Sequence, residues 1–246
     1  AVLAADLPAE VVPAPAPSAE AAPRSPAERM RRAVADLMAR SKREIPHYYL
    51  ALDIDMAAAT SWLEQVNAER PVTERLLPAA VLAWAAARAA AAHPELNGFW
   101  VDGAFRPAES VHLGVGVSLR GGGLVAPAIH DADSLSVTEL MQRLKDVVAR
   151  TRSGRLRSSE MSDPTITVTS LGDRGPDLVH GVIYPPQVAL VGFGRIRPMP
   201  VAVDDAVVVR PVVTATLAAD HRATDGDRGA RMLATLDRLL QHPEEP

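Results

Sequence analysis

Asp220-His221-Arg222-Ala223-Thr224-Asp225-Gly226 stands where one periodicity gives way to another. Upstream, Val207 to Leu217 alternates as a strand does; downstream, Ala230, Met232, Leu233, Leu236 and Leu239 recur at helical spacing. The segment is therefore a turn between strand and helix, where a side chain reaches a cleft from a rigid frame. It sets an imidazole between two carboxylates, which makes His221 a candidate general base.

Outward from that junction, strands and helices are mixed. Ser25-Pro26-Ala27-Glu28 combines a Ser cap, a Pro at the first helical position and a capping-box Glu, predicting a helix to about Ser41. Leu50, Leu52, Ile54 and Met56 alternate with Ala51, Asp53 and Asp55, a half-buried strand. Helices are expected near 57–69 and 74–93, the second with Pro78 in its first turn. Val111 to Leu119 and Leu124 to Ile129 read as strands around a Gly121-Gly122-Gly123 turn. Ser136-Val137-Thr138-Glu139 is a second capping box, opening a helix that ends near Gly154. Strands at 165–170, 187–193 and 206–218 lead to a helix at 227–241. This mixture predicts an α/β sandwich, a mixed β-sheet packed with helices.

The 246 residues, 48% apolar and 23% charged, fit one large domain plus an appendage. Val11 to Pro26 is dominated by Ala, Pro and Glu without an apolar period, so residues 1–26 read as a linker ahead of a domain at 27–246. The chain does not open on Met and carries no signal-peptide pattern, so a fragment or processed form is expected, not a secreted precursor. A net charge of −4 argues against a nucleic-acid surface. Pro78 to Ala92 is apolar, but Arg88 and the weak lipid preference of Ala favour a buried helix over a membrane span. With no cysteine there is no thiolate nucleophile, no disulfide and no Cys-ligated metal, which suits a cytoplasmic enzyme. The seven histidines lack metal-ligand spacing, so no metal is expected. Gly121 to Gly123 lacks the Lys-Ser/Thr of a phosphate loop and is better read as a hairpin turn.

Five ordered blocks carry a resemblance. They are Met38 to His47, Gly123 to Asp133, Thr165 to Gly172, Tyr184 to Gly194, and Asp220 to Gly226 with the following Arg228 to Leu233. In order and separation they resemble the catalytic domain of the dihydrolipoyl acyltransferases, the cores of 2-oxoacid dehydrogenase complexes. The resemblance implies a chloramphenicol-acetyltransferase-like fold, a homotrimer within a larger assembly, and active sites at subunit interfaces. It implies transfer of an acyl group between an S-acyl-dihydrolipoyl protein and coenzyme A as co-substrate. The implied partners are a lipoyl domain and the decarboxylase and dihydrolipoyl dehydrogenase components. Residues 1–7 look like the tail of a peripheral subunit-binding domain. With Lys42 and Lys145 as its only lysines, neither in an acidic context, the chain holds no lipoyl attachment site, so the lipoyl group must be carried elsewhere.

Acyl transfer between thiols needs a base and donors to the tetrahedral oxyanion. His221, with an ordinary pKa of about 6.5, can take a proton from a thiol and return it near neutrality. Thr169 aligns with the family's Ser or Thr that donates to the oxyanion, and Asp225 with its Asp, assigned here to holding the site's geometry. Gly226 is expected to allow a close or left-handed turn, and Arg222 to pair with Asp225 or Asp220. Each has a plainer reading. His221 could be a surface residue, Asp225 a helix cap beside its dipole, and Thr165, Thr167 and Thr169 solvated strand formers. Two other functions compete: a non-catalytic assembly core of the same fold, and a stand-alone CoA-dependent acyltransferase. The His221 and Asp225 pair argues against the first, the Pro/Ala linker against the second. Asp173-Arg174-Gly175 is more charged than the family's pattern and leaves the acyl preference open.

Overall fold

The computed structural model describes residues 25–119 and 123–244; residues 1–24 of the expected linker, with the first seven, and Gly121-Gly122 of the expected turn lie outside them. The chain opens with α1 (Pro26–Glu44), whose Ser25 cap and Glu28 form the expected capping box, and passes into β1 (His47–Asp55). Then come α2 (Ala57–Ala68) and α3 (Pro78–Ala92). α3 begins at Pro78 and not before, because the residue preceding a proline is pushed out of the helical region; Leu77 is extended at φ −106°, ψ 152°.

A seven-stranded mixed sheet forms the frame. β4 (Leu113–Val115), β7 (Ala128–Ile129), β8 (Ile166–Ser170), β9 (Ala189–Phe193) and β11 (Ala206–Asp220) join β1 in the order β1-β11-β9-β8-β4-β7. β8 runs parallel to both β9 and β4, and the other pairs are antiparallel. Between β4 and β7 lies a small antiparallel ladder of β5 (Val117–Ser118) and β6 (Leu124–Val125), so the two expected strands there are broken into four short ones.

Two hairpins escaped the periodicity. β2 (Gly98–Val101) and β3 (Ala104–Pro107) pair around Asp102 and Gly103, both at positive φ as a type I′ turn demands. β10 (Arg197–Val203) pairs with the first half of β11 through Asp204 and Asp205, again both left-handed. Its Pro198 and Pro200 disguised it in the sequence. Spaced by two, they remove N–H groups from one edge only, which a strand can spare and which blunts that edge.

The sheet's faces differ in kind. Val213, Ala215, Leu217 and Ala219 of β11, Val191 and Phe193 of β9 and Val168 of β8 meet α2, α3, α4 (Val137–Arg152) and, after the short α5 (Ser158–Ser162), α6 (Gly226–Gln241) in one core. Val72–Ala92, which contains α3, is long and apolar enough by length and composition to cross a membrane, but α3 is buried along most of its length, which accounts for that apolarity. The alternate residues, Thr167, Thr169, Gly192, Thr214 and Thr216, point the other way. Segment 171–187 lies over that face: Val179 O accepts from Thr216 Oγ1 at 2.6 Å, and a methyl on Gly192 would collide with Val179.

Candidate active site

His221 sits where β11 hands over to α6, in a turn organised by Asp220. The Asp220 N–H donates to Val188 O at 2.8 Å, and its carbonyl accepts from the N–H groups of Ala223 and Thr224. Its carboxylate is 0% exposed and accepts the Arg222 N–H at 2.9 Å and the guanidinium through Nε (3.0 Å) and Nη2 (2.6 Å). That hydrogen-bonded carboxylate holds the Arg222 pKa above its ordinary value. Of the two partners expected for Arg222, the structure selects Asp220. The imidazole is thus not flanked by two free carboxylates: Asp220 turns inward and is spent on arginine.

The His221 N–H donates to Pro46 O at 3.0 Å, tying the turn to the entry of β1. The ring meets Tyr48 edge-on, centroids 5.2 Å apart. His221 is exposed in the single chain. Neighbouring His47 is fixed by its surroundings: Nδ1 donates to Ile45 O at 2.9 Å while Nε2 accepts from the Ile183 N–H at 3.1 Å. Burial, with Lys42 nearby, lowers the His47 pKa, so this imidazole is neutral and structural.

Asp225 is the N-cap of α6, accepting the Arg228 N–H at 3.1 Å. The cap is thus present and orients the helix that follows the turn, a role that can coexist with the expected one of holding the site's geometry; among the described residues Asp225 makes no hydrogen bond to His221. Gly226 needs no special freedom, since its φ is ordinary and an added Cβ would meet nothing within 4 Å. The glycine that matters is Gly229, where a Cβ would stand 2.8 Å from the Tyr48 hydroxyl and 2.9 Å from Leu50. It lets α6 approach β1 closely enough to seat Tyr48 beside His221.

Thr169 lies at the far end of the frame. Its neighbours on the same strand face are not solvated: Thr165 and Thr167 are buried, the latter donating to Gln187 Oε1 at 2.8 Å. Thr214 and Thr216 are likewise bonded, to Asp53 and Val179. Thr169, half-buried, is the exception on this face, its hydroxyl without a hydrogen-bond partner among the described residues. Gly116 leaves it room, an added Cβ there falling 3.3 Å from Thr169 Oγ1. On the opposite face Val168 and Ser170 help line a cavity of about 450 Å³ between α3 and α4, which neither Thr169 nor His221 enters.

The register fixes how far apart the two candidates are. Thr169 pairs with Gly192, and Gly192 with Thr216, so His221 is two strands over and five residues further along β11. At roughly 3.3 Å per residue and 4.8 Å per strand, that is about 19 Å within one chain. A single chain does not bring base and hydroxyl together.

The model of the 2-oxoacid dehydrogenases acyltransferase (catalytic domain) family matches residues 19–246. The chain belongs to this family. It is 31% identical over 215 residues to the dihydrolipoyllysine-residue acetyltransferase component of the pyruvate dehydrogenase complex of Zymomonas mobilis, covering 87% of this chain and 49% of that protein. The chain spans about half the length of the curated relatives it matches. A dihydrolipoamide acetyltransferase from Azotobacter vinelandii superposes with a TM-score of 0.81 at 25% identity, covering 88% of this chain and 90% of that one. The catalytic mechanism of that protein was investigated at a serine, a histidine 52 positions later and an asparagine four beyond it. Chloramphenicol acetyltransferase superposes at 0.55 with 10% identity, over 83% of this chain and 94% of that one, so the shared fold is chloramphenicol-acetyltransferase-like.

Three contributors to the site escaped sequence reasoning: Tyr48, the inward turn of Asp220, and Trp100, whose ring faces the Arg222 guanidinium. Trp100 had a signal, since Asp102-Gly103 between apolar residues is a hairpin mark. The other two depend on strand pairing and helix approach, which no local pattern announces.

Proposed function

We propose that this family member transfers an acyl group from an S-acyl-dihydrolipoyl protein to coenzyme A, with His221 as base and Thr169 as oxyanion donor, in a site shared by two chains of a homotrimer. His221 takes the proton of the coenzyme A thiol as the sulfur attacks the thioester carbonyl carbon. The tetrahedral oxyanion accepts from the Thr169 hydroxyl. Collapse breaks the bond to the dihydrolipoyl sulfur, which takes the proton back from the imidazolium.

The observation that carries this reading is a spacing joined to a distance. Thr169 precedes His221 by 52 positions and Asp225 follows by four, as the serine and asparagine do in the Azotobacter vinelandii protein. Yet Thr169 and His221 lie at opposite ends of one sheet, so a second chain must supply the missing half. Thr for Ser keeps the hydroxyl; Asp for Asn keeps a cap acceptor. The names of the relatives support acetyl as the acyl group and membership of a multienzyme complex; a lipoyl domain, a decarboxylase and a dihydrolipoyl dehydrogenase are the partners we propose. The cysteine-free sequence supports a cytoplasmic setting.

The test is acyl transfer from acetyl, succinyl and isobutyryl coenzyme A to free dihydrolipoamide. His221→Ala is expected to lower turnover by about 10² to 10⁴ with assembly unchanged. Reassembling His221→Ala chains with Thr169→Ala chains in equal amounts should restore about a quarter of wild-type activity, the fraction of interfaces that pair an intact base with an intact hydroxyl. Absence of turnover with every donor from assembled protein would favour the scaffold, and no recovery on mixing would return the site to one chain.

A further inference from the structure

The β2–β3 hairpin stands apart from the main sheet, yet it is stitched to the His221 turn by a closed set of contacts. The Trp100 N–H donates to Pro186 O at 2.8 Å, the Val188 N–H to Gly98 O at 3.2 Å, and the Asp220 N–H to Val188 O at 2.8 Å. From the hairpin, the Trp100 ring faces the Arg222 guanidinium, centroid to Cζ 4.8 Å. Arg222 grips the fully buried Asp220 bidentately, and Asp220 in turn accepts from the three backbone N–H groups that follow His221, those of Arg222, Ala223 and Thr224.

We propose that Trp100 is a positioning residue for the base: its π-face holds Arg222 flat against Asp220, and that pair fixes the backbone from which His221 projects. The inference rests on the reading of His221 as base. The physical case is one of satisfaction and order. A carboxylate with no solvent exposure must be charge-paired. Arg222 is about one-third exposed on its side chain and has rotamer freedom to leave. An aromatic face over the guanidinium restricts it to the bidentate geometry and shields the pair from water. With the clamp loose, the turn keeps its fold through β11 and α6 but loses the fixed direction of the imidazole, and a misaligned base costs rate more than binding.

The experiment compares Trp100→Leu, which keeps apolar bulk without a π-face, with Trp100→Phe, which keeps the face, in the assembled protein. Trp100→Leu is expected to lower kcat about tenfold or more with KM within about twofold, and Trp100→Phe to restore most of it. Arg222→Lys, which keeps charge but cannot grip both oxygens, should give the same kcat loss and add little on top of Trp100→Leu. Undiminished kcat in Trp100→Leu, or equal losses in Leu and Phe, would overturn the clamp. Should Trp100→Leu fail to assemble, Arg222→Lys decides: kcat within twofold of wild type overturns it too. A His221→Ala protein that still turns over would instead remove the base assignment itself, so the two failures are told apart.

Discussion

At one end of the sheet the His221 turn is held by bonds from β1, β9 and its own carboxylate neighbour; at the other, the Thr169 hydroxyl is held by nothing but the strand that bears it. Asp220 alone accounts for contacts to Val188, Arg222, Ala223 and Thr224. Thr169 sits in a row where each threonine around it is bonded and it is not. The difference fits two tasks. A base must point in one direction, and direction comes from over-determination of the backbone. A donor to an oxyanion that exists only briefly must keep its hydrogen uncommitted, and an uncommitted hydroxyl is what a half-buried strand position beside a glycine provides.

The sharpest way to break this contrast, after loss of the base, is to exchange the threonines. Thr169→Ala should lower kcat by about 10² to 10³ while leaving stability within about 0.5 kcal/mol, because the side chain contributes no native hydrogen bond. Thr216→Ala should do the reverse, costing about 1 to 2 kcal/mol by leaving Val179 O without its donor, with kcat per folded molecule near wild type. Urea unfolding and initial rates on the same samples read both. Equal effects of the two substitutions on kcat would dissolve the distinction, and Thr169→Ser should keep most of the activity.

A smaller effect is expected from the glycines of the helix after the turn. Gly229→Ala places a methyl against the Tyr48 hydroxyl, Leu50 and Leu217, and should cost about 1 to 3 kcal/mol while tilting the ring beneath His221. Gly226→Ala, in open space at the first turn of α6, should be neutral or slightly stabilising. Thermal unfolding of the pair shows whether close approach or backbone freedom is what the motif's glycines supply.

The smallest signal is a titration. His47 is held neutral by burial, so its folded pKa lies below the unfolded value of 6.5. Below pH 6.5 the unfolded chain binds the proton first, and stability falls with pH until the folded pKa is passed. His47→Gln should therefore flatten the fall in unfolding free energy as the pH is lowered from 6.5, as measured by denaturant titration at each pH. An unchanged slope would assign that loss to other groups.

Much of the frame was legible because local rules and tertiary contacts agree. Ser25 and Ser136 cap their helices as the boxes predict, and Leu50, Leu52 and Ile54 face the core as their alternation demands. The misses have local causes. β10 is hidden by prolines that an edge strand tolerates, the helix expected over 74–93 starts only at Pro78 because Leu77 is extended, and the close approach expected at Gly226 falls at Gly229. Asp225 reads in the structure as a cap, a role its position before an amphipathic helix already suggested.

The sequence by itself determined the order of strands and helices apart from β2, β3 and β10, the motif with its family, and the 52 positions from hydroxyl to base, because periodicity, capping and spacing are properties of neighbours along the chain. Only the tertiary structure decided that Asp220 turns inward to Arg222, that Trp100 closes over that pair, and that the two candidate residues stand about 19 Å apart in one chain. Those outcomes depend on strand order, register and the approach of a helix, and they bring together residues such as Trp100 and Arg222, 122 positions apart, through contacts that no window of sequence contains.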